Sequence, residues 1–227
     1  MTAFPLVSII ITTWNRLFYT RMCLQSIRRH TPVSHEVIVV DNGSSDGTVP
    51  YLSKQPDVCL FQNGVNRGFA AAVNRGIRAA RGKVLVLLNN DTAVPPVAGT
   101  ADRRAGGGPA KRSGRSVVQP VIPEQKIRIR LSSPSQVHTF SARFNRSGPA
   151  KWRISPRLSG FCLAFPARLV EAIGYLDEGF RVGTYEDDDY CYRARRAGYR
   201  CMVAGDTYVH HFGNRSFRRR GREAFRQ

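Results

Sequence analysis

The chain has 227 residues, a formal net charge of +19 and a hydrophobic content of 42%. That length can bury the core of one full domain, and the apolar share is typical of a globular protein. No apolar run approaches the length needed to cross a membrane, which argues against a membrane-spanning class. The charge leaves nucleic acid, anionic membrane surfaces and phosphorylated substrates open as partners.

The positive charge is concentrated in two segments. Residues 103–130 hold eight Lys or Arg against one acidic residue, and residues 215–226 hold six Arg against Glu223. The first ninety residues are closer to balance. We therefore expect the excess charge to be appended to the fold and not built into its centre.

The five cysteines are an odd number and include no C-x-x-C pair. Four of them lie in apolar or helix-like segments, where a free thiol behaves as a small hydrophobe. We therefore expect a reduced, cytoplasmic compartment. Residues 3–11 are apolar but lack a basic leader and a small-residue cleavage site, so we expect no signal peptide. Any membrane attachment would be peripheral, at the inner membrane face.

Strands and helices are predicted to alternate through the first ninety residues. The predicted strands cover Leu6–Thr12, Glu36–Val40, Val58–Gln62 and Val84–Leu88. The predicted helices cover Arg16–His30, a short segment capped by Ser45 or Asp46, and Gly68–Arg81. This alternation favours an α/β fold with a parallel, doubly wound sheet.

Two of these predicted strands end in oxygen-bearing side chains. The fourth strand runs into Asn89, Asn90 and Asp91, and the second runs into Asp41. Ligands of open α/β sheets bind at the carboxyl edge, and a hard divalent cation that carries a diphosphate prefers oxygen ligands. The pattern predicts a nucleotide and metal pocket. Asx turns after each strand are the structural alternative.

Residues 97–116 break the pattern because they lack apolar periodicity and are rich in Gly, Ala and Arg. We predict an irregular segment. One hypothesis is a natural disordered loop. The other is a block read out of frame, since GC-rich codons in a shifted frame give Ala, Gly, Arg and Pro, and resequencing the coding DNA distinguishes the two. We expect order from Val117 and a half-exposed strand at Ile127–Leu131.

Regular structure is predicted again in the last third of the chain. The predicted elements are a strand at Gly160–Phe165, a helix at Ala167–Ile173 closed by Gly174, a helix from Glu186 through Arg196 that stops at Gly198, and strands at Arg200–Val203 and Tyr208–His211.

Four consecutive acids, Glu186 to Asp189, open one of these helices. Each gains roughly 0.3–1 kcal/mol from the helix dipole, which is a structural account for one or two of them. Four together repel one another, and crowding raises a carboxylate's pKa and suits it as a general base. The adjacent His210 and His211 follow a predicted strand. Each is either a packed residue or a metal ligand beside Asp91.

Seven motifs in order give the chain a family resemblance. They are V-S-I-I-I-T-T-W-N-R (7–16), V-V-D-N-G-S-S-D-G-T (39–48), N-R-G-F-A-A-A-V-N-R-G (66–76), L-L-N-N-D-T (87–92), S-G-F-C-L-A-F (159–165), Y-E-D-D-D-Y-C-Y-R-A-R-R-A-G-Y (185–199) and V-A-G-D-T-Y-V-H-H-F-G (203–213). The set resembles the inverting nucleotide-sugar glycosyltransferases of family 2, of the rhamnosyl- or N-acetylglucosaminyltransferase type. The resemblance implies the GT-A fold, with a Rossmann-like, mostly parallel sheet and helices on both faces.

The resemblance also implies a role for each matching position. The residues implied to contact the donor nucleotide sugar are Thr12, Thr13, Asn15, Asp41, Asn66, Arg67, Gly68, Asn89 and Asn90. Asp91, the last residue of the segment that replaces the family's D-x-D, would bind Mg²⁺ or Mn²⁺. Asp187 would be the catalytic base, with Glu186 and Asp188 beside it. His210 would add a metal ligand, in preference to His211.

The resemblance predicts a single GT-A domain over residues 1–227. Within it we expect a nucleotide-binding half (1–96), an irregular segment (97–118), an acceptor and catalytic half (119–213) and a basic tail (214–227). Members of the family usually continue after the D-x-D strand with an amphipathic helix and a strand, which residues 97–116 do not offer.

The implied function is metal-dependent, inverting transfer of a hexosyl or deoxyhexosyl group to a glycan or lipid-linked acceptor, as in cell-surface polysaccharide synthesis. One alternative is a degenerate transferase fold that binds nucleotide without turnover. Another is a basic nucleic-acid-binding protein. However, the basic runs are not interleaved with aromatic residues for base stacking, and no helix-turn-helix, zinc or RNA-binding signature occurs.

Overall fold

The fold was analysed in a computed structural model, which describes residues 5–95, 113–116, 134–146, 148–180 and 185–212. The strands are β1 (Val7–Thr13), β2 (His35–Asp41), β3 (Val58–Gln62), β4 (Val84–Asn89), β5 (Thr92–Ala93), β6 (Ser113–Ser116), β7 (Arg153–Ile154), β8 (Cys162–Pro166), β9 (Arg200–Val203) and β10 (His210–His211). The α-helices are α1 (Leu17–His30), α2 (Thr48–Leu52), α3 (Phe69–Ala79), α4 (Pro134–Phe144), α5 (Arg168–Ile173) and α6 (Glu186–Arg196).

One central sheet has the strand order β3-β2-β1-β4-β8-β6-β9-β7. Strands β3, β2, β1 and β4 are mutually parallel, and β8 then pairs antiparallel with β4. Strands β6 and β9 are parallel to each other, whereas β7 is antiparallel to β9. The separate pair β5 and β10 is antiparallel. The predicted α/β class with a mostly parallel central sheet is confirmed.

Helices cover both faces of this sheet because its central strands are apolar on both sides. Ile9 and Ile11 of β1 pack with α1, while Ile10 between them packs with α3. This alternation is the period of two that a strand imposes on its side chains. Helices α5 and α6 lie on the α3 side. The polar ends of β1, β2 and β4 are therefore left at one edge of the sheet.

Two parts of the sequence differ from expectation. Four residues of the segment predicted to be irregular, Ser113–Ser116, form strand β6 between β8 and β9, because backbone pairing on both sides does not require an apolar pattern. Residues 138–144, which had no assignment, belong to α4. The predicted strand at Ile127–Leu131 and the basic tail lie outside the described residues.

The described residues contain no helix that combines the length and the hydropathy needed to span a bilayer. All five cysteines are free thiols, and only Cys59 is exposed.

Candidate functional site

The loops after β1 and β2 are tied together by Asn15. Its backbone N–H donates to Ser44 Oγ at 2.6 Å, and its side-chain Oδ1 accepts the N–H of Ser45 at 2.7 Å. Asn15 and Arg16 both have left-handed backbone conformations, with φ of 58° and 66°. The family resemblance implies that Asn15 contacts the donor. In the structure, its side chain instead joins the two loops by a hydrogen bond.

Asp41, the last residue of β2, has one satisfied and one unsatisfied carboxylate oxygen. Oδ1 accepts the N–H groups of Gly43 and Ser44 at 3.0 and 2.9 Å. Oδ2 is buried and has no hydrogen-bond partner among the described residues. A buried acceptor without a partner costs free energy unless a ligand supplies the donor. Asp41 is therefore suited to accept an N–H of a bound base.

The loop before α3 is fixed beside Asp41 by a row of amides. Asn63 donates to Asn42 at 2.7 Å, and Asn42 donates to the carbonyl of Gly68 at 3.0 Å. Asn66 accepts the N–H of Gly68 at 3.0 Å, which forms an Asx turn just before α3. Asn66 and Arg67 are exposed. Of the three residues predicted to line the donor, Arg67 thus offers an exposed cation at this edge, with Gly68 half-buried beside it.

Asn90 lies beneath the site. Its amide nitrogen donates to Thr13 Oγ1 at 3.1 Å and to Thr20 Oγ1 at 3.0 Å, and all three residues are buried. This cluster joins the ends of β1 and β4 to α1. Asn90 and Thr13 were predicted to contact the donor, and the structure gives both of them an anchoring role. Thr20 was not identified from the sequence.

Asp91 and His211 form the closest carboxylate–imidazole pair at this edge. Asp91 Oδ1 lies 2.9 Å from His211 Nε2, and Asn89 Nδ2 lies 3.4 Å from the same nitrogen. The antiparallel pairing of β5 and β10 brings them together. The resemblance implied His210 as the metal ligand beside Asp91, whereas the structure places His211 next to this carboxylate. Neighbouring residues of a strand point to opposite faces, and His210 Nδ1 instead lies 2.8 Å from the Tyr208 hydroxyl.

The Asp91–His211 pair fits a small divalent cation. Ligand atoms at adjacent corners of an octahedron with bonds of about 2.1 Å lie about 3 Å apart, close to the spacing of these two atoms. The described residues contain no group of three or more His, Cys, Asp or Glu placed to hold a metal. Diphosphate oxygens and water would complete the shell, as is usual for Mg²⁺.

Asp187 lies at the start of α6 and is held by backbone donors. Oδ2 accepts the N–H of Gly160 at 2.8 Å, and Oδ1 accepts the N–H of Asp188 at 3.0 Å. Burial raises the pKa of Asp187, and the charge of Asp188 raises it further, against the lowering effect of the Gly160 N–H. A fixed carboxylate with a raised pKa is suited to accept a proton.

The neighbouring acids have different surroundings. Glu186 is buried, its Oε2 has no hydrogen-bond partner among the described residues, and burial raises its pKa to about 7. Asp188 lies 3.5 Å from Arg157, and Asp189 pairs with Arg193 at 2.8 Å. Of these four acids, Asp187 is thus the one that neither lies beside an arginine nor is fully buried.

Two consecutive residues, Gly160 and Phe161, connect the acid to the metal pair. Gly160 donates to Asp187, and the Phe161 carbonyl accepts the N–H of Asn89 at 2.8 Å. The Phe161 ring stacks on His211, with centroids 4.8 Å apart and planes 7° apart. The dipeptide lies just before β8. It lies in the S-G-F motif, but the sequence analysis assigned neither residue a role.

The predicted site residues therefore separate into two groups. The edge of the sheet brings together Asp41, Gly68, Asn89 and Asp91, and half-buried Thr12 is paired in register with Asn89. Asp187 approaches from the β8 side. Hydrogen bonds that fix the surrounding loops and strand ends come from Asn15, Thr13 and Asn90. The histidine beside Asp91 is His211, whereas the resemblance implied His210.

Comparison with known proteins gives one family. Residues 8–98 match the family described as "Glycosyl transferase family 2". Among curated proteins, the putative glycosyltransferase EpsH of Bacillus subtilis is 32% identical over 95 residues, which are 40% of this chain and 28% of EpsH. The chain therefore spans less than a third of the length of this relative.

Solved structures share the fold. GalNAc-T7, determined with UDP, GalNAc and Mn²⁺, has a TM-score of 0.70 at 17% identity. The matched part covers 93% of this chain and 44% of the GalNAc-T7 chain. The mannosyltransferase PcManGT from Pyrobaculum calidifontis, in complex with GDP-Man and Mn²⁺, has a TM-score of 0.57 at 22% identity, with coverage of 90% and 58%. The fold is that of the GT-A glycosyltransferases.

Proposed function

Because residues 8–98 match glycosyl transferase family 2, we propose that this chain transfers a sugar from a nucleotide-diphosphate sugar to an acceptor hydroxyl, with inversion at the anomeric carbon and with Mg²⁺ or Mn²⁺ bound. The transferred sugar is a hexosyl or deoxyhexosyl group. The acceptor is a glycan or a lipid-linked glycan, as in surface-polysaccharide synthesis.

One observation carries this proposal. The Gly160-Phe161 dipeptide hydrogen-bonds to Asp187 on one side, and on the other it bonds to Asn89 and stacks on the histidine that contacts Asp91. A proton acceptor and a metal pair thus flank one short, rigid segment. This arrangement supports an inverting transferase, in which the base and the leaving diphosphate act on opposite faces of the same sugar.

The donor would lie along the edge from β2 to β5. Asp41 Oδ2 accepts an N–H of the base, and Arg67 pairs with phosphate oxygens. Asp91 and His211 would hold the metal ion. When bound, that ion would offset the charge that develops on the departing diphosphate.

Asp187 acts on the acceptor. Its carboxylate accepts the proton of the acceptor hydroxyl while the hydroxyl oxygen forms a bond to the anomeric carbon. The bond from that carbon to the diphosphate oxygen breaks, and the nucleoside diphosphate leaves with the bonding electrons. The Gly160 N–H keeps the carboxylate at a fixed position, which lowers the entropic cost of the step.

The protein is proposed to work in the cytoplasm, with peripheral contact to the inner membrane face. The free thiols of all five cysteines and the excess of basic residues support this location. Polybasic segments are attracted to anionic lipid by about 1 kcal/mol per charge.

A degenerate transferase fold that binds nucleotide without turnover is the second candidate. It is favoured by Asn89, an amide at the first position of the segment that replaces D-x-D, because that position adds no negative charge to the metal pair. Hydrolysis of a nucleotide sugar by the purified chain would exclude it.

The test is thermal unfolding with UDP, dTDP, GDP or ADP, each with and without Mn²⁺. A ligand at about 100 times its Kd stabilises a protein by about 2.7 kcal/mol, which for a chain of this size is about 5–10 °C. We expect one nucleotide to raise the Tm by this amount, and only when Mn²⁺ is present.

Matched variants test whether this rise in Tm comes from the proposed donor and metal site. Asp91→Ala and His211→Asn should abolish the metal-dependent part. His210→Asn, which alters the neighbour bonded to Tyr208, should retain it, as should Asp57→Asn at the opposite end of β3. If no nucleotide raises the Tm, or if His210→Asn rather than His211→Asn removes the effect, the proposed site is wrong.

A further inference from the structure

A groove runs along the exposed face of α3. Its volume is about 610 Å³, within the usual range for ligand sites. The residues that line it are Asn63, Arg67, Ala71, Arg75, Arg78 and Glu178. Three guanidinium groups against one carboxylate make the groove net positive.

The spacing of these residues places them along one line. Residues three and four positions apart share a face of a helix, so Ala71, Arg75 and Arg78 follow one another along α3, with Arg67 just before its first turn. Arg75 and Arg78 are offset by about 4.5 Å along the helix axis. Ala71 has a short side chain, which leaves the groove open between Arg67 and Arg75.

Two of the three guanidinium groups are held in place. Arg75 donates to the Gln62 carbonyl at 2.8 Å and to Asn63 Oδ1, and it lies over the Phe61 ring at 5.3 Å. Arg78 lies over the Tyr175 ring at 4.7 Å. A guanidinium that is already positioned loses less side-chain entropy when it binds an oxyanion.

Glu178 neutralises only part of this charge. Its Oε1 lies 3.7 Å from Arg78, and the same oxygen accepts the amide N–H of Asn74 at 2.8 Å. The Arg78 side chain is 54% exposed. Its remaining N–H groups face water and are available to an anion.

The groove leads towards the proposed base. Arg67 precedes Gly68, and the next residue, Phe69, lies near Gly160. A β-carbon added to Gly160 would lie 3.6 Å from the Phe69 ring and 3.5 Å from Asp187 Cβ. The first turn of α3, which follows Arg67 in the sequence, therefore lies near Asp187.

We propose that this groove binds a phosphate-bearing acceptor chain, whose phosphate groups pair with Arg75 and Arg78 while its terminal hydroxyl reaches Asp187. Arginine is suited to phosphate because its planar fork donates two parallel hydrogen bonds. This inference rests on the proposed function for the direction of the chain, but binding in the groove does not require turnover.

The experiment is arginine-selective modification of the intact chain by phenylglyoxal, followed by peptide mass spectrometry. The probe is linear polyphosphate of about ten units, added in the presence of saturating UDP and Mn²⁺ so that the donor site is filled. We expect polyphosphate to slow modification of Arg78 at least fivefold. Arg21 and Arg200, exposed arginines elsewhere on the surface, should react at unchanged rates.

Two variants sharpen the result. Arg78→Gln should raise the polyphosphate concentration that half-protects Arg75 several-fold, whereas Arg200→Gln, with the same change in charge, should not. Equal protection at Arg21, Arg78 and Arg200 would overturn the proposal in favour of a general attraction of anions. Protection by oligogalacturonate but not by polyphosphate would overturn the assignment to phosphate.

The outcome is separable from the proposed activity. If nucleotide and Mn²⁺ produce no thermal shift while polyphosphate still protects Arg78, the transferase proposal fails and the groove stands. If the thermal shift is present and protection is absent, the groove fails alone.

Discussion

A single contact, between Asp91 and His211, joins chain positions that are 120 residues apart. The sequence offered two adjacent histidines as ligands, and a strand directs such neighbours to opposite faces. Which one meets Asp91 depends on the register of β10 against β5, where His211 is opposite Thr92. That register is a long-range property, so local pattern could propose a histidine but could not choose between the two.

Asp187→Asn tests the proposed base. An amide cannot accept the acceptor proton, so we expect transfer to fall by about 10²–10⁴-fold. Nucleotide and metal binding, measured by thermal shift, should be retained. Asp189→Asn is the matched control, because that carboxylate pairs with Arg193.

The pH dependence of the transfer rate tests the same role of Asp187. The Asp187 carboxyl must be ionised to act, and burial together with the charge of Asp188 raises its pKa. The transfer rate should therefore rise with pH through that raised pKa and then level. Asp188→Asn removes the like charge and should move the rising limb to lower pH. A profile that does not move, or one that moves upward, would count against Asp187 as the base.

At the scale of elements, most of the regular structure follows from local pattern, with β6 and α4 as exceptions. The strands β3 and β9 have the predicted limits, and α6 begins and ends where its acids and Gly198 indicate. The antiparallel entry of β8 beside β4 was not predictable, because strand direction is set by the path of the intervening chain. The role of Gly160-Phe161 follows from that placement, which explains why the sequence analysis assigned it none.

Gly76 of α3 tests the packing of helix on sheet. An alanine in a helix is usually more stable than a glycine by about 1 kcal/mol. Here a β-carbon would overlap Ile10 Cγ2 in the centre of β1 and would lie 3.4 Å from Val40 Cγ2. We expect packing to dominate, so that Gly76→Ala lowers the free energy of unfolding by about 1–3 kcal/mol in urea denaturation.

Ala71→Gly, on the groove side of the same helix, reports the helix propensity alone. It should lower the free energy of unfolding by about 1 kcal/mol. A Gly76→Ala protein more stable than the wild type would show that α3 can move away from β1 at little cost.

At the scale of the whole molecule, the family match and the readable sequence coincide in residues 8–98. That half supplies Asp41, Gly68, Asn89 and Asp91. Asp187, His211 and the Gly160-Phe161 dipeptide come from the other half, where sequence analysis predicted the elements but not how they meet. One sheet includes strands from both halves, so the site depends on the fold as a unit.

The stability of the folded chain should depend on pH through Glu186. Burial raises its pKa from 4.5 to about 7, so between these values the folded state keeps a proton that the unfolded state has released. Stability should therefore fall as the pH rises across this window and stay level above it. In the Glu186→Gln variant, the amide side chain cannot ionise. At pH 8 it should exceed the wild type by up to about 3 kcal/mol in urea denaturation, and near pH 4.5 by far less.

Glu171→Gln, at an exposed position in α5, is the control and should change stability little at either pH. An equal gain for Glu186→Gln at both pH values would mean that folding does not raise the pKa of Glu186, contrary to the assignment.

The late position of β10 has a consequence for the nascent chain. Synthesis and domain folding proceed from the N-terminus, so β1 to β4 and Asp91 leave the ribosome well before Asp187, and His211 emerges after both. A partly made chain can thus hold the donor-side groups while it lacks both the base and the imidazole partner of Asp91. Under the proposed function, a polypeptide synthesised only as far as Asp91 does not consume activated sugar, because translation supplies the residues of the reacting half after those of the donor half.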